Sequence, residues 1–129
     1  MLVKNESISF VATRDPVKSR AFYEGTLGLL LVADEHFALV FELNGHMLRI
    51  AKVDELAPAQ HTILGWHVSD ISETARSLSS CGVVFEQFDG MVHDELGIWT
   101  SPSGAKVAWF KDPDGNILSL TQSSNSDVS

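Results

Sequence analysis

The chain of 129 residues is short of several things, and each shortage narrows what it does. It has one cysteine, Cys81. That excludes an intrachain disulfide and any multi-cysteine zinc knuckle. Lysine and arginine total 9 against 17 aspartates and glutamates, a net charge of −8. So acidic a balance argues against binding nucleic acid or an anionic membrane through general electrostatics. No apolar run approaches the roughly 20 residues needed to span a bilayer. The opening Met1-Leu-Val-Lys-Asn-Glu lacks the apolar stretch of a signal peptide, so a cytoplasmic location is expected. No glycine-rich phosphate loop and no Ser/His/Asp arrangement is evident. What is present is 44% apolar and 20% charged residues, a globular composition. The length suits one domain, 1–129, with a real core. Five histidines are the one compositional hint of chemistry.

The chain reads as two copies of one pattern. Ser7–Thr13, rich in β-branched and aromatic residues, predicts a strand. Asp15-Pro16 predicts a helix start, because Asp caps free N–H groups and Pro needs no hydrogen-bond partner at the first position. That helix runs through Val17, Ala21 and Phe22 to about Gly25, and Gly28 breaks it. Strands follow at Leu29–Ala33, Phe37–Leu43 and His46–Lys52, the last two a hairpin on Asn44-Gly45, the favoured pair for a type I′ turn. Residues 53–60, with Pro58, read as a linker. The second copy opens with a strand at Thr62–Val68. Asp70 and Glu73 then form a capping box. Ile71, Ala75 and Leu78 give the next helix an apolar face, and Cys81-Gly82 closes it. Further strands are expected at Val83–Phe88, Ile98–Ser101, Lys106–Lys111 and Asn116–Gln122, with a long loop at 89–97. The tail 123–129 is expected to be disordered. The fold class is therefore α+β, a duplicated βαβββ module spanning about 5–52 and 61–122.

Three stretches carry a resemblance to a known family. They are Arg14-Asp-Pro-Val-Lys-Ser-Arg-Ala-Phe-Tyr-Glu-Gly-Thr-Leu-Gly28, Gly65-Trp-His-Val-Ser-Asp-Ile71 with Cys81-Gly82, and Phe110-Lys-Asp-Pro-Asp-Gly-Asn116. In this order and spacing, over residues 7–122, the chain resembles the vicinal oxygen chelate superfamily. That group includes glyoxalase I, bleomycin-resistance proteins, fosfomycin-resistance enzymes, extradiol dioxygenases and methylmalonyl-CoA epimerase. The resemblance implies eight strands in a curled mixed sheet around a cavity, helices on the outer face, and a homodimer.

It also implies where a metal would be held, and there the chain departs from the pattern. Metal-dependent members place His or Glu at four inward positions. In this sequence those positions fall on Ile8, Arg49, Ile63 and Ser119. Two aliphatics do not ligate, a guanidinium offers only donors, and one hydroxyl is a poor ligand. No metal and no other cofactor is expected.

Strand alternation extends the same face to Phe10 and Ala12, to Gly65 and His67, and to Ile117 and Thr121. The polar groups expected to converge are Arg49, His67, Ser119 and Thr121. Arg49 either holds an anionic ligand by two parallel hydrogen bonds, pairs with Glu42 on the neighbouring strand, or faces outward. His67 is either a donor or general base near the cavity mouth, or a strand-end histidine reaching solvent or a carbonyl. Trp99 and Trp109 form either an aromatic wall for a planar ligand or ordinary packing. His93-Asp94-Glu95 is expected to be a solvated charged loop, as is His36 beside Asp34 and Glu35, His46 is expected to be exposed after the hairpin turn, and Cys81 to be packed. His61 is a reserve ligand.

The expected function is metal-free binding of a small anionic or aromatic molecule, with Arg49, His67, Ser119, Phe10, Thr121 and Trp99 as binding residues. The alternative is a metal-dependent lyase, isomerase or dioxygenase using displaced ligands such as His61, His67 and Glu42.

Overall fold

A computed structural model describes residues 1–124. The chain divides into two compact units between Pro58 and Ala59, inside the stretch read as a linker.

In the first unit, β1 (Ile8–Thr13) leads into helix α1 (Pro16–Arg20). The Asp15 carboxylate accepts the Lys18 N–H at 3.2 Å, and Pro16 opens the helix, as the sequence predicts. The expected single helix instead widens into a π-helical segment, Ala21–Thr26. The Leu27 N–H reaches back five residues to the Phe22 carbonyl at 2.9 Å. Tyr23 is fully buried there, its ring tilted against Phe41 at 6.0 Å. Strands β2 (Leu30–Asp34), β3 (Ala38–Leu43) and β4 (His46–Lys52) complete a sheet ordered β1-β4-β3-β2. Asn44 and Gly45 both take positive φ, 49° and 84°, as a type I′ hairpin requires. β1 and β4 run parallel and the other pairs antiparallel, so the sheet is mixed. Its helix-facing side carries Val11, Leu39, Phe41, Leu48 and Ile50, all buried. The opposite side carries Ile8, Phe10, Leu30 and Met47, all exposed, with Phe10 at 65%.

The second unit repeats the topology. β5 (Thr62–His67), helix α2 (Ile71–Ser80), β6 (Trp99–Thr100), β7 (Lys106–Lys111) and β8 (Ile117–Gln122) give the sheet order β5-β8-β7-β6. Asp70 caps α2 through the Glu73 N–H at 3.1 Å. Ile71 and Ala75 bury against the side bearing Ala108, Phe110, Leu118 and Leu120. Each unit is thus a four-stranded mixed sheet with a helix on one face, eight strands among the described residues, and the class is α+β.

Several expectations need correction. Val83–Phe88 forms no strand; it meets the edge of β7 through one antiparallel bridge, Phe85 to Phe110, and the Glu86 N–H on the Trp109 carbonyl at 2.8 Å, and pairs no further. Cys81 is exposed, not packed. Ile63 does not continue the register of Gly65 and His67, because the β5–β8 pairing slips between Thr62 and Leu64. His46 is half-buried, not exposed, its Nε2 lying 2.7 Å from the Ser9 hydroxyl. Of the expected disordered tail, Ser123 and Ser124 are placed, and residues 125–129 lie outside the described residues. Asp112-Pro-Asp-Gly-Asn116 is more than a surface turn. Asp112, Asp114 and Asn116 are buried, and the Asp112 carboxylate accepts the N–H groups of Asp114 and Asn116 and the Asn116 side-chain amide at 2.8–2.9 Å.

Candidate functional site

The best-furnished face is the side of the second sheet turned away from α2. Directly opposed residues on neighbouring strands share a face, so strand pairing defines rows across it. One row runs Gly65, Ser119, Trp109; the next runs His67, Thr121, Val107, Trp99. Four of the six expected binding residues, His67, Ser119, Thr121 and Trp99, therefore stand in two adjacent rows. The alternation predicted for β8 holds, with Leu118 and Leu120 on the helix side and Ser119 and Thr121 opposite.

Aromatic rings wall one end of this face. Trp109 meets Trp99 at 5.9 Å between ring centres, Phe88 edge-on at 5.3 Å and His93 at 6.3 Å. The loop that brings Phe88 and His93 there is tightly tied. The His93 Nδ1–H donates to the Gly97 carbonyl at 2.9 Å, while Nε2 accepts the Phe88 N–H at 3.1 Å. Those two bonds set the tautomer and leave the ring no free nitrogen. Asp94 Oδ1 accepts the N–H groups of Leu96 and Ile98, both at 2.9 Å. His93 and Asp94 are thus a loop clamp, not the freely solvated charges expected. Only the spacing of a histidine before a glycine hinted at this, and that signal is too common to read. Against the same edge lies a shallow depression of about 510 Å³, lined by Trp99, Val92, Ile98, His93, Thr100 and Lys106 among others.

The polar atoms of the two rows are mostly uncommitted. Among the described residues, the hydroxyls of Ser119 and Thr121 and the indole N–H groups of Trp99 and Trp109 make no hydrogen bond. Ser119 is nonetheless 93% buried, its relative exposure being 7%. His67 is exposed, with Nε2 at 2.8 Å from the Ser123 hydroxyl. The cation on this face, Lys111, lies 3.6 Å from Glu86.

The remaining two expected binding residues belong to the first unit. Phe10, Arg49 and Val40 form a row on its open face. Arg49 donates from Nη2 to Glu35 Oε1 at 3.0 Å, so its partner is Glu35 in the turn after β2, not Glu42. Glu42 stands opposite Met47, one row further along. The guanidinium is already matched, which removes the motive for an anionic ligand there.

A divalent metal does not fit these residues. Ile8 and Arg49 in the first unit supply no donor atom. In the second, Ile63 sits at the register slip and Ser119 offers one neutral hydroxyl. Among the described residues no group of three or more His, Cys, Asp or Glu side chains is placed to hold a metal ion. His61 is exposed and turned to the Thr62 carbonyl at 3.2 Å. No helix among the described residues is long and apolar enough to cross a membrane.

One residue outside these faces has a shifted titration. The Lys52 ammonium, 2.6 Å from Asp34, holds that carboxyl below the usual aspartate range, with Arg20 adding to the effect.

Solved structures share this architecture. A glyoxalase/bleomycin resistance protein/dioxygenase superfamily member from Sphaerobacter thermophilus superposes with a TM-score of 0.74 at 22% identity, covering 95% of this chain and 100% of that one. A lactoylglutathione lyase from Agrobacterium tumefaciens gives 0.70 at 15% identity, covering 92% and 93%. An integron cassette protein from the mobile metagenome of Halifax Harbour sewage outfall gives 0.70 at 24%, covering 94% and 100%. No curated protein matches significantly. At these identities the likeness speaks for the fold alone. The family model of the Glyoxalase/Bleomycin resistance protein/Dioxygenase superfamily matches residues 7–120, nearly the whole repeat, and the chain belongs to that superfamily.

Proposed function

We propose that this protein binds a small, flat aromatic molecule on the open face of its second sheet, without a metal. The observation that carries this reading is the pair of rows in which Trp99 and Trp109 stand beside the uncommitted hydroxyls of Ser119 and Thr121. Mostly apolar walls with a few convergent polar groups are the usual make-up of a small-molecule site. Of the two ligand types expected from the sequence, the aromatic one is favoured. Arg49 is spent on Glu35 and Lys111 faces Glu86, so neither is a free anion receptor. The absent ligand set supports binding over metal-dependent chemistry, since sites and not folds carry function.

The proposal includes a cytoplasmic location, carried over from the sequence, and a homodimer, which the exposed apolar side chains of Ile8, Phe10, Leu30 and Met47 support. Light scattering tests the pairing.

The binding test uses 2-naphthol as probe, followed by NMR of the indole N–H resonances. Trp99 and Trp109 should shift in a saturable way. Trp66, stacked on Phe110 on the opposite face, serves as internal control. Metal analysis of protein purified without chelator should find less than stoichiometric zinc, nickel, manganese or iron. Stoichiometric metal that disappears in His67→Ala would overturn the metal-free reading.

A further inference from the structure

We infer that Gly65 and Ser119 form a polar notch beside the tryptophan wall. It selects flat aromatic ligands bearing an uncharged hydroxyl or carbonyl over their alkyl isosteres. This rests on the aromatic-binding reading above and sharpens it.

The notch follows from what glycine leaves out. A β-carbon built on Gly65 would stand 2.8 Å from the Ser119 hydroxyl and 3.3 Å from the Ser119 carbonyl oxygen. Any other residue at 65 would press on that hydroxyl and cover it. Glycine in a strand interior weakens the strand, and it commonly marks a place where another group must approach closely. Position 65 has ordinary φ, so the turn geometry that explains most other glycines of this chain is absent here.

The first unit provides an internal comparison. Its sheet has the same strand order, and there the residue facing Arg49 across β1 is Phe10. The corresponding place thus tolerates a large ring, so the fold itself does not demand glycine.

Beneath the notch, Ser119 is more than nine-tenths buried yet hydrogen-bonds to nothing among the described residues. Its oxygen is not fully enclosed, since the one enclosed side-chain oxygen without a partner among the described residues is that of Ser19, so it can take a partner from outside. A ligand atom seated in the gap left by Gly65 would be such a partner. The hydroxyl both donates and accepts, so it suits a ligand hydroxyl or carbonyl alike. Charge is not called for. Lys111 is matched by Glu86, and His67 at the rim has Nε2 engaged by Ser123. Trp109 flanks Ser119 in the same row, on the side opposite Gly65. A ring lying along Trp109 would therefore bring a substituent over the Ser119 hydroxyl.

The test compares 2-naphthol with 2-methylnaphthalene, which has nearly the same shape but a methyl group for the hydroxyl. Burial of apolar surface alone favours the methyl compound, so a preference for the naphthol reports a polar contact. The wild type should bind 2-naphthol about tenfold more tightly, the scale of one well-placed neutral hydrogen bond. Ser119→Ala should remove that preference while still binding both probes. Gly65→Ala should weaken 2-naphthol binding by a similar factor. Should Gly65→Ala fold poorly, Ser119→Ala carries the test alone, because it removes one oxygen and adds no bulk. Equal affinity for the two probes, with Trp99 and Trp109 shifting for each, overturns the notch and leaves the aromatic-binding reading standing. If neither probe moves those resonances, both readings fall.

Discussion

Replacing Gly97 with alanine tests the loop that holds the aromatic wall, and the structure sets the size of the effect. Gly97 has φ of 90°, and a β-carbon there would lie 2.7 Å from the Phe85 β-carbon and 3.5 Å from Phe85 Cγ. Two penalties combine. An L-residue at positive φ costs about 1–2 kcal/mol. The contact adds about 1–3 kcal/mol, as overpacking does, because a β-carbon cannot rotate away from another β-carbon. Gly82→Ala separates the two terms. Gly82 has φ of 95°, yet nothing lies within 4 Å of its added β-carbon, so only the conformational cost remains. Urea unfolding followed by tryptophan fluorescence should place Gly97→Ala below Gly82→Ala by about 1–3 kcal/mol with similar m-values. The melting temperature of Gly97→Ala should fall further as well. A difference under about 0.5 kcal/mol would refute the reasoning. It would mean that the 88–98 loop yields freely and that Phe85 does not fix it.

Three other changes have definite expected outcomes. Ser19 is fully buried in α1 and its hydroxyl has no partner; Ser19→Ala should stabilise the protein by about 1 kcal/mol, and a loss of urea stability would mean that the hydroxyl is satisfied after all. Asp112→Ala should cost about 3 kcal/mol, because it strips three buried N–H donors of their acceptor, whereas Asp112→Asn should cost less; equal thermal shifts for the two would contradict the role assigned to the side-chain oxygens. The folded-state pKa of Asp34 is lowered, so its contribution to stability is present above the ordinary aspartate value, roughly 4, and is lost as pH falls through the folded value. Lys52→Met should raise the Asp34 pKa in an NMR carboxyl titration, and an unchanged value would remove Lys52 as the cause.

The fold was legible because its signals are local and repeated. Asp15-Pro16, Asp70 with Glu73, and Asn44-Gly45 each act through their own backbone, so their geometry follows from residue type. The face assignments of β1, β4 and β8 were legible for the same reason, since alternation needs only the sequence. What failed depended on non-local pairing. Val83–Phe88 has strand-like composition, but it pairs with the β7 edge at a single bridge, Phe85 to Phe110, and goes no further. Ile63 has the right parity in sequence and loses it at a slip visible only against β8. The π-helical widening at Ala21–Thr26 accompanies the burial of Tyr23 against Phe41, a contact with a distant strand that local sequence does not show. Arg49 stood out in the sequence as a cation needing a partner, but the partner, Glu35, lies in the β2–β3 turn and not on the adjacent strand. Ser119 and Thr121 were placed on one face by alternation alone, but the part played by Gly65 required a distance.

The site residues and the loop behind them also bear on affinity. Binding costs free energy for every group that becomes ordered, and a wall already held in place avoids that cost. Here the ordering is done by backbone-directed bonds. His93 uses both ring nitrogens within its own loop, and Asp94 ties Leu96 and Ile98. Phe88 and Trp109 are then fixed edge to face before a ligand arrives. The polar groups left unused are those facing the open rows, Ser119 and Thr121, together with the two indoles. Rigid surroundings with free hydrogen-bonding groups mean that a ligand gains contacts without first dismantling internal ones. Gly97 links this to stability, since its close approach to Phe85 lets the loop lie tightly against the sheet. A substitution there should reduce probe affinity as well as stability, although Gly97 lies outside the two rows proposed to meet the ligand.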